Sequence, residues 1–166
     1  KGGRANSEDS MIQRPDPEEY SEKLIDVIQY AKTCDVFILT STLMNAASPS
    51  LTFCDAVGKN KLAVTYEGLL TSCLGIQSQE HPLAEQFVMK DDDPEKWLAA
   101  QFPSYVSSTN CVEKCRNCFA RYICSGGCPS RNFYATQSVG NIDPMQCITT
   151  RRLLHYYITS IYEKSR

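Results

Sequence analysis

The sequence predicts an α+β fold in which a few helices and short strands accompany a long cysteine-rich segment. Three Asp-Pro pairs mark helix starts, because the aspartate can cap a helix and the proline suits its first turn. Two stretches rich in β-branched residues favour strands. Residues 103–142 hold most of the cysteines and lack a regular hydrophobic period, which is typical of irregular structure. The pairs are Asp16-Pro17, Asp93-Pro94 and Asp143-Pro144.

The first helix is expected over residues 17–33, after a polar loop that covers residues 1–15. Apolar residues recur along it at helical spacing, so one face should be buried. A buried strand is expected next, at residues 36–40, and this helix–strand pair would form a piece of an α/β layer. The buried stripe of the helix would be Tyr20, Leu24, Val27, Ile28 and Ala31.

A β-hairpin is expected further along the chain, with strands at residues 61–66 and 69–73 joined by Glu67-Gly68. A second helix should begin after Asp93, where an acidic run ends, and the last helix after Asp143. The second helix would carry Trp97, Leu98 and Phe102. The last helix would bury Met145, Ile148, Leu154, Ile158 and Ile161.

Composition narrows the class of protein. The chain is 42% hydrophobic and 22% charged, as in soluble globular proteins, and its net charge of −2 gives no reason to expect nucleic acid as a partner. No apolar run approaches about 18 residues, so no membrane partner is expected. The polar opening at Lys1, without a signal peptide, suggests a fragment of a longer cytoplasmic protein.

The nine cysteines are the strongest functional signal. An odd number argues against a fully paired disulfide scaffold, and the close spacing favours metal ligands in a reducing cell. Seven of them and one glycine form the pattern C-x13-G-x4-C, a gap, C-x2-C-x5-C-x3-C, a gap, C. The residues are Cys54, Gly68, Cys73, Cys115, Cys118, Cys124, Cys128 and Cys147.

This pattern resembles the SPASM domain, the C-terminal auxiliary-cluster domain of radical S-adenosylmethionine enzymes that modify peptides and proteins. The resemblance implies that residues 1–50 end a partial (β/α)6 barrel and that residues 51–166 are the SPASM domain, with a β-hairpin, irregular cluster-binding loops and a C-terminal helix. The string Gly3-Arg4-Ala5 supports the barrel end. S-adenosylmethionine and its own 4Fe–4S cluster would belong to an N-terminal part that this chain lacks. The chain alone is then expected to have no catalytic residue and no activity.

The resemblance also implies two auxiliary 4Fe–4S clusters with interleaved ligands. Cys54, Cys73 and Cys128 would bind the first cluster. The second would take Cys115, Cys118, Cys124 and Cys147. Seven thiolates leave one of eight irons without a motif ligand. That iron would be open to substrate or bound by another group such as Cys111, whereas Cys34 is expected to be a small buried residue.

The physical chemistry of the segment fits clusters. Ser125-Gly126-Gly127 permits a tight turn beside a bulky group, and Gly68 would return Cys73 to Cys54. Cys147 falls in the first turn of the last helix, where the dipole favours an anionic group. Four nearby cations would either offset thiolate charge or be ordinary solvated side chains. They are Lys114, Arg116, Arg121 and Arg131.

Partners follow from the same resemblance. The substrate would be a peptide or protein, such as a ribosomal natural-product precursor that acquires a thioether, or a sulfatase cysteine or serine. The clusters would transfer electrons or hold this substrate, with flavodoxin or ferredoxin as donor or acceptor. His81 lies in a polar stretch, where a surface position is expected more than substrate contact, and His155 is expected to pack or face solvent.

The cysteines permit three other interpretations, which fit the sequence less well. Cys111, Cys115 and Cys118 have the CxxxCxxC spacing of the S-adenosylmethionine cluster, but too little chain follows to complete a barrel, and Asn117 stands where that motif carries an aromatic residue. A zinc-binding interaction module would use two paired CxxC knuckles, and this chain has one CxxC. Bacterial ferredoxins use a tighter run that ends in Cys-Pro, of which Cys128-Pro129 matches only the last step.

Overall fold

The computed structural model is a mixed fold of helices with one small antiparallel sheet, and it describes residues 14–57, 61–76, 78–89, 93–99, 112–138 and 140–165. This agrees with the predicted α+β class. The described sheet has two strands, so a partial barrel is not part of the described fold. The helices are α1 (Pro17–Thr33), α2 (Ser41–Ala47), α3 (Ala84–Phe87), α4 (Pro94–Ala99), α5 (Arg121–Cys124), α6 (Pro129–Thr136) and α7 (Pro144–Lys164). The strands are β1 (Ala63–Val64) and β2 (Leu70–Thr71), and a 3-10 turn covers Glu113–Cys115.

The three predicted helix starts are confirmed. The backbone N–H groups of Glu18 and Glu19 donate to Asp16 Oδ1 at 2.9 and 3.0 Å, so this carboxylate caps α1. Asp93 and Asp143 accept in the same way, from Lys96 N at 3.0 Å and from Met145 N at 3.1 Å. Each cap satisfies amide groups that have no partner within the helix.

Helices α1 and α7 pack along each other and form the frame of the fold. Ser21 is fully buried between them, with its Oγ 2.5 Å from Pro17 O and 3.2 Å from Thr149 Oγ1. Ile28 and Ala31 continue this face. The predicted stripe was therefore partly wrong, because Tyr20 and Val27 are 43% and 53% exposed while the small Ser21 lets the helices approach.

The predicted strand at residues 36–40 was wrong. These residues form no strand in the described structure, and Val36, Phe37 and Leu39 are exposed. The segment connects two helices instead. Val36 N donates to Ala31 O at 2.8 Å at the end of α1, and Thr40 Oγ1 accepts from Leu43 N at 3.2 Å to cap α2.

The predicted hairpin is confirmed, with shorter strands. Ala63 pairs with Thr71 and Val64 with Leu70, and Gly68 makes the turn with a φ of +79°, which favours glycine. The main core lies behind β2, where Thr71 is buried and its Oγ1 is 3.0 Å from Phe87 O. The core residues are Ile76, Leu83, Ala84, Phe87 and Val88.

The segment at residues 103–142, which was predicted to be irregular, contains α5 and α6. The buried face of α7 also differs from the predicted one. Leu153 and Leu154 are buried in α7, whereas Ile158 and Ile161 are 52% and 70% exposed, contrary to the predicted stripe. Phe102, residues 1–13 with Gly3-Arg4-Ala5, and Asp91-Asp92 lie outside the described residues. Among the described helices, none combines the length and the apolarity needed to cross a membrane.

Candidate metal centre

The structure brings the seven motif cysteines together as two groups. Cys115, Cys118, Cys124 and Cys147 line one cavity of about 450 Å³, which we call the thiol cavity. Cys73 lies close enough to Cys54 and Cys128 for their charges to interact, and we call these three the Cys73 group. Cys124 and Cys128 are four residues apart and belong to different groups.

The four cysteines of the thiol cavity lie in four different local structures. Cys115 ends the 3-10 turn, and Cys118 follows in a turn closed by a 3.1 Å hydrogen bond from its N–H to Cys115 O. Cys124 is the last residue of α5. Cys147 lies in the first turn of α7, with its N–H 3.0 Å from Asp143 O. The start of α7, which carries the positive end of the helix dipole, lies at the cavity, because Pro144 is among the residues that line it.

The four thiols of the cavity differ in exposure, since Cys124 is buried and Cys115, Cys118 and Cys147 are partly exposed. Burial raises the pKa of Cys124 to about 12, and the neighbouring Cys147, Cys115 and Cys118 add to this rise. The pKa of Cys147 is also raised by burial, although Arg151, which hydrogen-bonds its thiol, and Lys114 oppose the rise. The cavity thus combines several thiols with cations that favour their ionised form.

The Cys73 group is assembled around the hairpin. Cys73 follows β2 in a turn closed by a 2.9 Å bond from Ile76 N to Cys73 O, and it packs against the main core. Burial raises the pKa of its thiol, and Cys128 and Cys54 add to the rise, while backbone hydrogen bonds from Gly75 and Ile76 oppose it. Cys128 is the N-cap residue of α6, and Cys54 precedes a short turn that ends at Val57.

The loop between α5 and α6 sends Cys124 and Cys128 to different groups. Ser125, Gly126 and Gly127 all have positive φ, at 50°, 77° and 76°, so the chain reverses sharply over three residues. The loop is fixed at one end by Ser125 Oγ, which donates to Ser50 O at 2.7 Å. The sequence predicted a tight turn here, and its backbone conformation is confirmed.

A buried polar network fixes the other end of this loop, and sequence reasoning missed it. Asn132 is buried, donates to Gly126 O at 2.9 Å and accepts from Asp143 N at 2.9 Å. The carboxylate of Asp143 is paired with both guanidinium nitrogens of Arg14, at 3.1 and 2.9 Å, and with Arg131 at 3.6 Å. Asp143 was predicted only as a helix cap, and nothing in the sequence marks Asn132.

The remaining candidates do not join either group in the described residues. Cys34 is exposed rather than buried as predicted, and Cys111 lies outside the described residues. His81 is half-buried, with Nε2 2.6 Å from Tyr134 Oη and Nδ1 accepting from Leu83 N at 3.0 Å, so it packs against α6. His155 is exposed on α7.

Both groups consist of thiols, which are soft ligands and favour soft metals. In the described residues no three His, Cys, Asp or Glu side chains converge on a point that could hold one metal ion. The four thiols instead line part of the wall of a cavity of about 450 Å³. The chain matches no protein-family pattern, no curated protein and no solved structure.

Proposed function

We propose that this chain is the auxiliary-cluster part of a radical S-adenosylmethionine enzyme that modifies a peptide or protein. Its clusters, two of the 4Fe–4S type, would serve in electron transfer, in substrate binding or in both. The observation that carries the proposal is the grouping of the thiols. Cys115, Cys118, Cys124 and Cys147 come from four separate local structures and line one cavity.

The residues present fit such a cluster in the thiol cavity. Four thiols are the usual ligand set of a 4Fe–4S cluster, and the cavity is larger than a single ion needs. Arg151 and Lys114 supply positive charge beside Cys147, and Phe119 lines the wall. When bound, the cluster supplies a one-electron redox centre. The chain's own part is to hold the thiols, offset their charge and limit the access of water.

The Cys73 group would hold the other cluster with three thiolates. Backbone groups of Gly75 and Ile76 hydrogen-bond to the sulfur of Cys73, and such bonds tune the potential of iron–sulfur sites. A three-thiolate set leaves a fourth position for a substrate group or a further residue. Thioether-forming peptide maturation is the subclass that this position favours, and sulfatase-type maturation is the other.

Anaerobic reconstitution of the chain tests the proposal. We expect about eight iron and about eight sulfide per chain, because two 4Fe–4S clusters contain that many. Iron and acid-labile sulfide would be assayed on the desalted protein. About two zinc per chain without sulfide would instead identify a structural zinc module and overturn the proposal.

A cysteine control separates specific ligation from adventitious iron. Cys34 is exposed and lies in neither group, so Cys34→Ser should keep the full iron and sulfide content. A loss of metal in this variant as large as in Cys124→Ser would show that the assay reports non-specific thiol binding.

A further inference from the structure

One buried side-chain amide is bonded both to the loop between α5 and α6 and to the start of α7. Asn132 is only 2% exposed, and its two side-chain hydrogen bonds are both buried. Its Nδ2 donates to Gly126 O at 2.9 Å, and its Oδ1 accepts from Asp143 N at 2.9 Å. Because the carbonyl oxygen needs a donor and the N–H needs an acceptor, only one orientation of the amide satisfies both partners.

The first partner lies in the loop that separates the two thiol groups. Gly126 is the middle residue of this loop, two positions from Cys124 and two positions from Cys128. The backbone N–H of Asn132 also donates to Cys128 O at 2.8 Å, in the first turn of α6. Asn132 is therefore bonded to the backbone of Cys128 and to the backbone that leads from Cys128 to Cys124.

The second partner connects the amide to the thiol cavity. Asp143 is the N-cap residue of α7, and its carbonyl oxygen accepts from Cys147 N at 3.0 Å. The loop is packed against the same part of α7, since a Cβ added to Gly127 would lie 3.2 Å from Asn132 Oδ1 and 3.4 Å from Gln146 Cγ. The loop thus lies against both α6 and the first turn of α7, with little space for a side chain.

The bonds of Asn132 specify geometry more than they add stability. A buried amide gains little net free energy from its hydrogen bonds, because the same groups bond to water in the unfolded chain. The bonds are directional, however, and a buried polar group without a partner is costly. The amide therefore favours the one arrangement in which the loop and α7 meet it together. A leucine of similar size would fill the space without selecting that arrangement.

We propose that Asn132 is a positioning residue that holds the two cluster sites at one separation and one orientation. This inference rests on the proposed function, since it requires clusters in the thiol cavity and at the Cys73 group. Asn132 acts through Gly126 and Asp143, whose neighbours carry the thiols, and it ligates no iron. The separation of two redox centres governs how fast an electron passes between them, so a pair of clusters needs such a fixed geometry.

Two substitutions remove the bonds of Asn132 in steps. The ionised carboxylate of Asn132→Asp can accept from Asp143 N but cannot donate to Gly126 O, and Asn132→Leu can do neither. Asn45→Leu is the matched control. Asn45 Nδ2 donates to Ile123 O at 3.1 Å, so its amide joins α2 to α5 beside the thiol cavity. The control loses an amide-to-carbonyl bond of the same kind and keeps the link between the two groups.

Electron paramagnetic resonance of the reconstituted, reduced chain gives the main readout. The spectra of the separate clusters come from Cys73→Ala and Cys147→Ala, and the difference between their sum and the spectrum of the full chain is the magnetic coupling of the clusters. This coupling depends steeply on their separation. We expect it to change in Asn132→Asp, to change further in Asn132→Leu, and to stay at its original value in Asn45→Leu.

Hydrogen exchange tests the network without using the clusters. The N–H of Asp143 should exchange about tenfold or more faster in Asn132→Leu, because a buried N–H that loses its acceptor opens more readily. In Asn45→Leu its exchange should not change. The comparison is made on the chain with and without iron, so that the effect of the amide is separated from the effect of cluster binding.

Several outcomes would overturn the inference. The coupling of the original chain could persist in Asn132→Leu, or Asn45→Leu could change it equally. If Asn132→Leu retains no iron, Asn132→Asp decides. If neither retains iron, the original chain decides by hydrogen exchange: Gly127 N–H and Asp143 N–H should open together, and rates that differ by about tenfold or more would rule out a single unit.

Failure of the proposed function is distinguishable from failure of this inference. The iron and sulfide content of the original chain is measured first, before any variant is compared. An original chain that takes up neither would overturn both proposals. An original chain with two clusters whose coupling does not depend on Asn132 would overturn only the positioning role.

Discussion

Asp143 joins three parts of the molecule through its buried carboxylate and its backbone N–H. It caps α7, pairs with Arg14 and Arg131, and its own N–H donates to Asn132. The side chain of Asp143 has no exposed surface, whereas those of Arg14 and Arg131 are 36% and 52% exposed. Loss of the carboxylate charge therefore removes two ion pairs at a buried position. The guanidinium groups of both arginines can then be hydrated, because they are partly exposed.

The substitution Asp143→Asn should lower the free energy of unfolding by about 2 kcal/mol. Removing one partner of a fully buried pair costs about 3–5 kcal/mol, and the exposure of the arginines reduces this figure. Asn can still cap a helix, so the loss reports the ion pairs. Asp16→Asn is the matched control at an exposed cap and should change stability by less than about 0.5 kcal/mol. Denaturant unfolding of both variants gives the comparison, and equal losses would contradict this role of Asp143.

The lowered pKa of His81 predicts that the stability of the fold depends on pH. Burial lowers its pKa from the ordinary value of about 6.5, and its Nδ1 already accepts from Leu83 N, so the folded state favours the neutral ring. The unfolded chain then binds a proton at higher pH than the folded chain. The contribution of His81 is complete above about pH 6.5 and is lost as the pH falls toward its lowered value.

Replacement of His81 by Gln should flatten the pH dependence of stability below about pH 6.5. The measurement is the unfolding midpoint from pH 5 to pH 8, which spans the ordinary range of histidine titration at about pH 6.5. His155 is the other histidine of the chain and is exposed, so His155→Gln should leave the curve unchanged. If both variants keep the original curve, His81 is not the source of the dependence.

At the scale of elements, the loop between α5 and α6 depends on glycine more than the hairpin does. Gly127 has a φ of +76°, and a Cβ added to it would lie 3.2 Å from Asn132 Oδ1, an atom held by the hydrogen bond from Asp143 N. Gly68 has a similar φ of +79°, but a Cβ added there would meet no atom within 4 Å. A residue with a side chain would be strained by the left-handed backbone at either position, but it would be crowded only at Gly127.

Gly68→Ala should cost about 1 kcal/mol from the left-handed backbone alone, and Gly127→Ala should cost more. The crowding at Asn132 should also disturb the path from Cys124 to Cys128. We expect Gly127→Ala to lower iron retention after desalting, and Gly68→Ala to have a smaller effect. Unfolding midpoints and iron assays on the two variants check this order, which the reverse ranking would refute.

Elements that are determined by neighbouring residues could be predicted from the sequence. Elements that depend on contacts with distant residues could not. The caps at Asp16, Asp93 and Asp143 follow from side chains next to their own helices, so the sequence places these starts correctly. Residues 36–40 have strand composition, but a strand needs a partner, and composition does not supply one. Ile158 keeps the helical spacing of the apolar residues, but the described residues do not cover this part of α7.

The same distinction holds for the candidate site. The spacing of the cysteines can be seen in the sequence alone, and it singled out seven thiols among nine. Two features around them are not local: Asn132 bridges the glycine loop and the start of α7, and Arg14 pairs with Asp143, which is 129 residues away in sequence. Such contacts depend on how the helices meet, and a single sequence carries little signal for them.

At the scale of the whole molecule, the thiol groups link segments that are far apart in sequence. The Cys73 group joins the region before the hairpin, the hairpin itself and the start of α6. The thiol cavity joins the 3-10 turn, α5 and α7. Metal binding at such sites stabilises the folded chain, because the unfolded chain does not hold the ligands together.

The grouping of the thiols predicts how single cysteine substitutions would divide between the two proposed clusters. Cys128→Ala should lose the same cluster as Cys73→Ala, although Cys128 is closer in sequence to Cys124. Cys124→Ala and Cys147→Ala should lose the other cluster. Each variant should keep about half of the iron, since one 4Fe–4S cluster has half the irons of two. Electron paramagnetic resonance of the reduced proteins should therefore give one spectrum for the first pair of variants and a different one for the second pair.

The decisive comparison is between Cys124→Ala and Cys128→Ala. The loop of Ser125, Gly126 and Gly127 turns the chain between them, so residues four positions apart face different sites. If the two variants retain the same residual spectrum, the loop does not separate the sites, and the thiols belong to one centre. If their spectra differ, and each matches that of its distant partner, the folded arrangement rather than sequence proximity assigns the ligands.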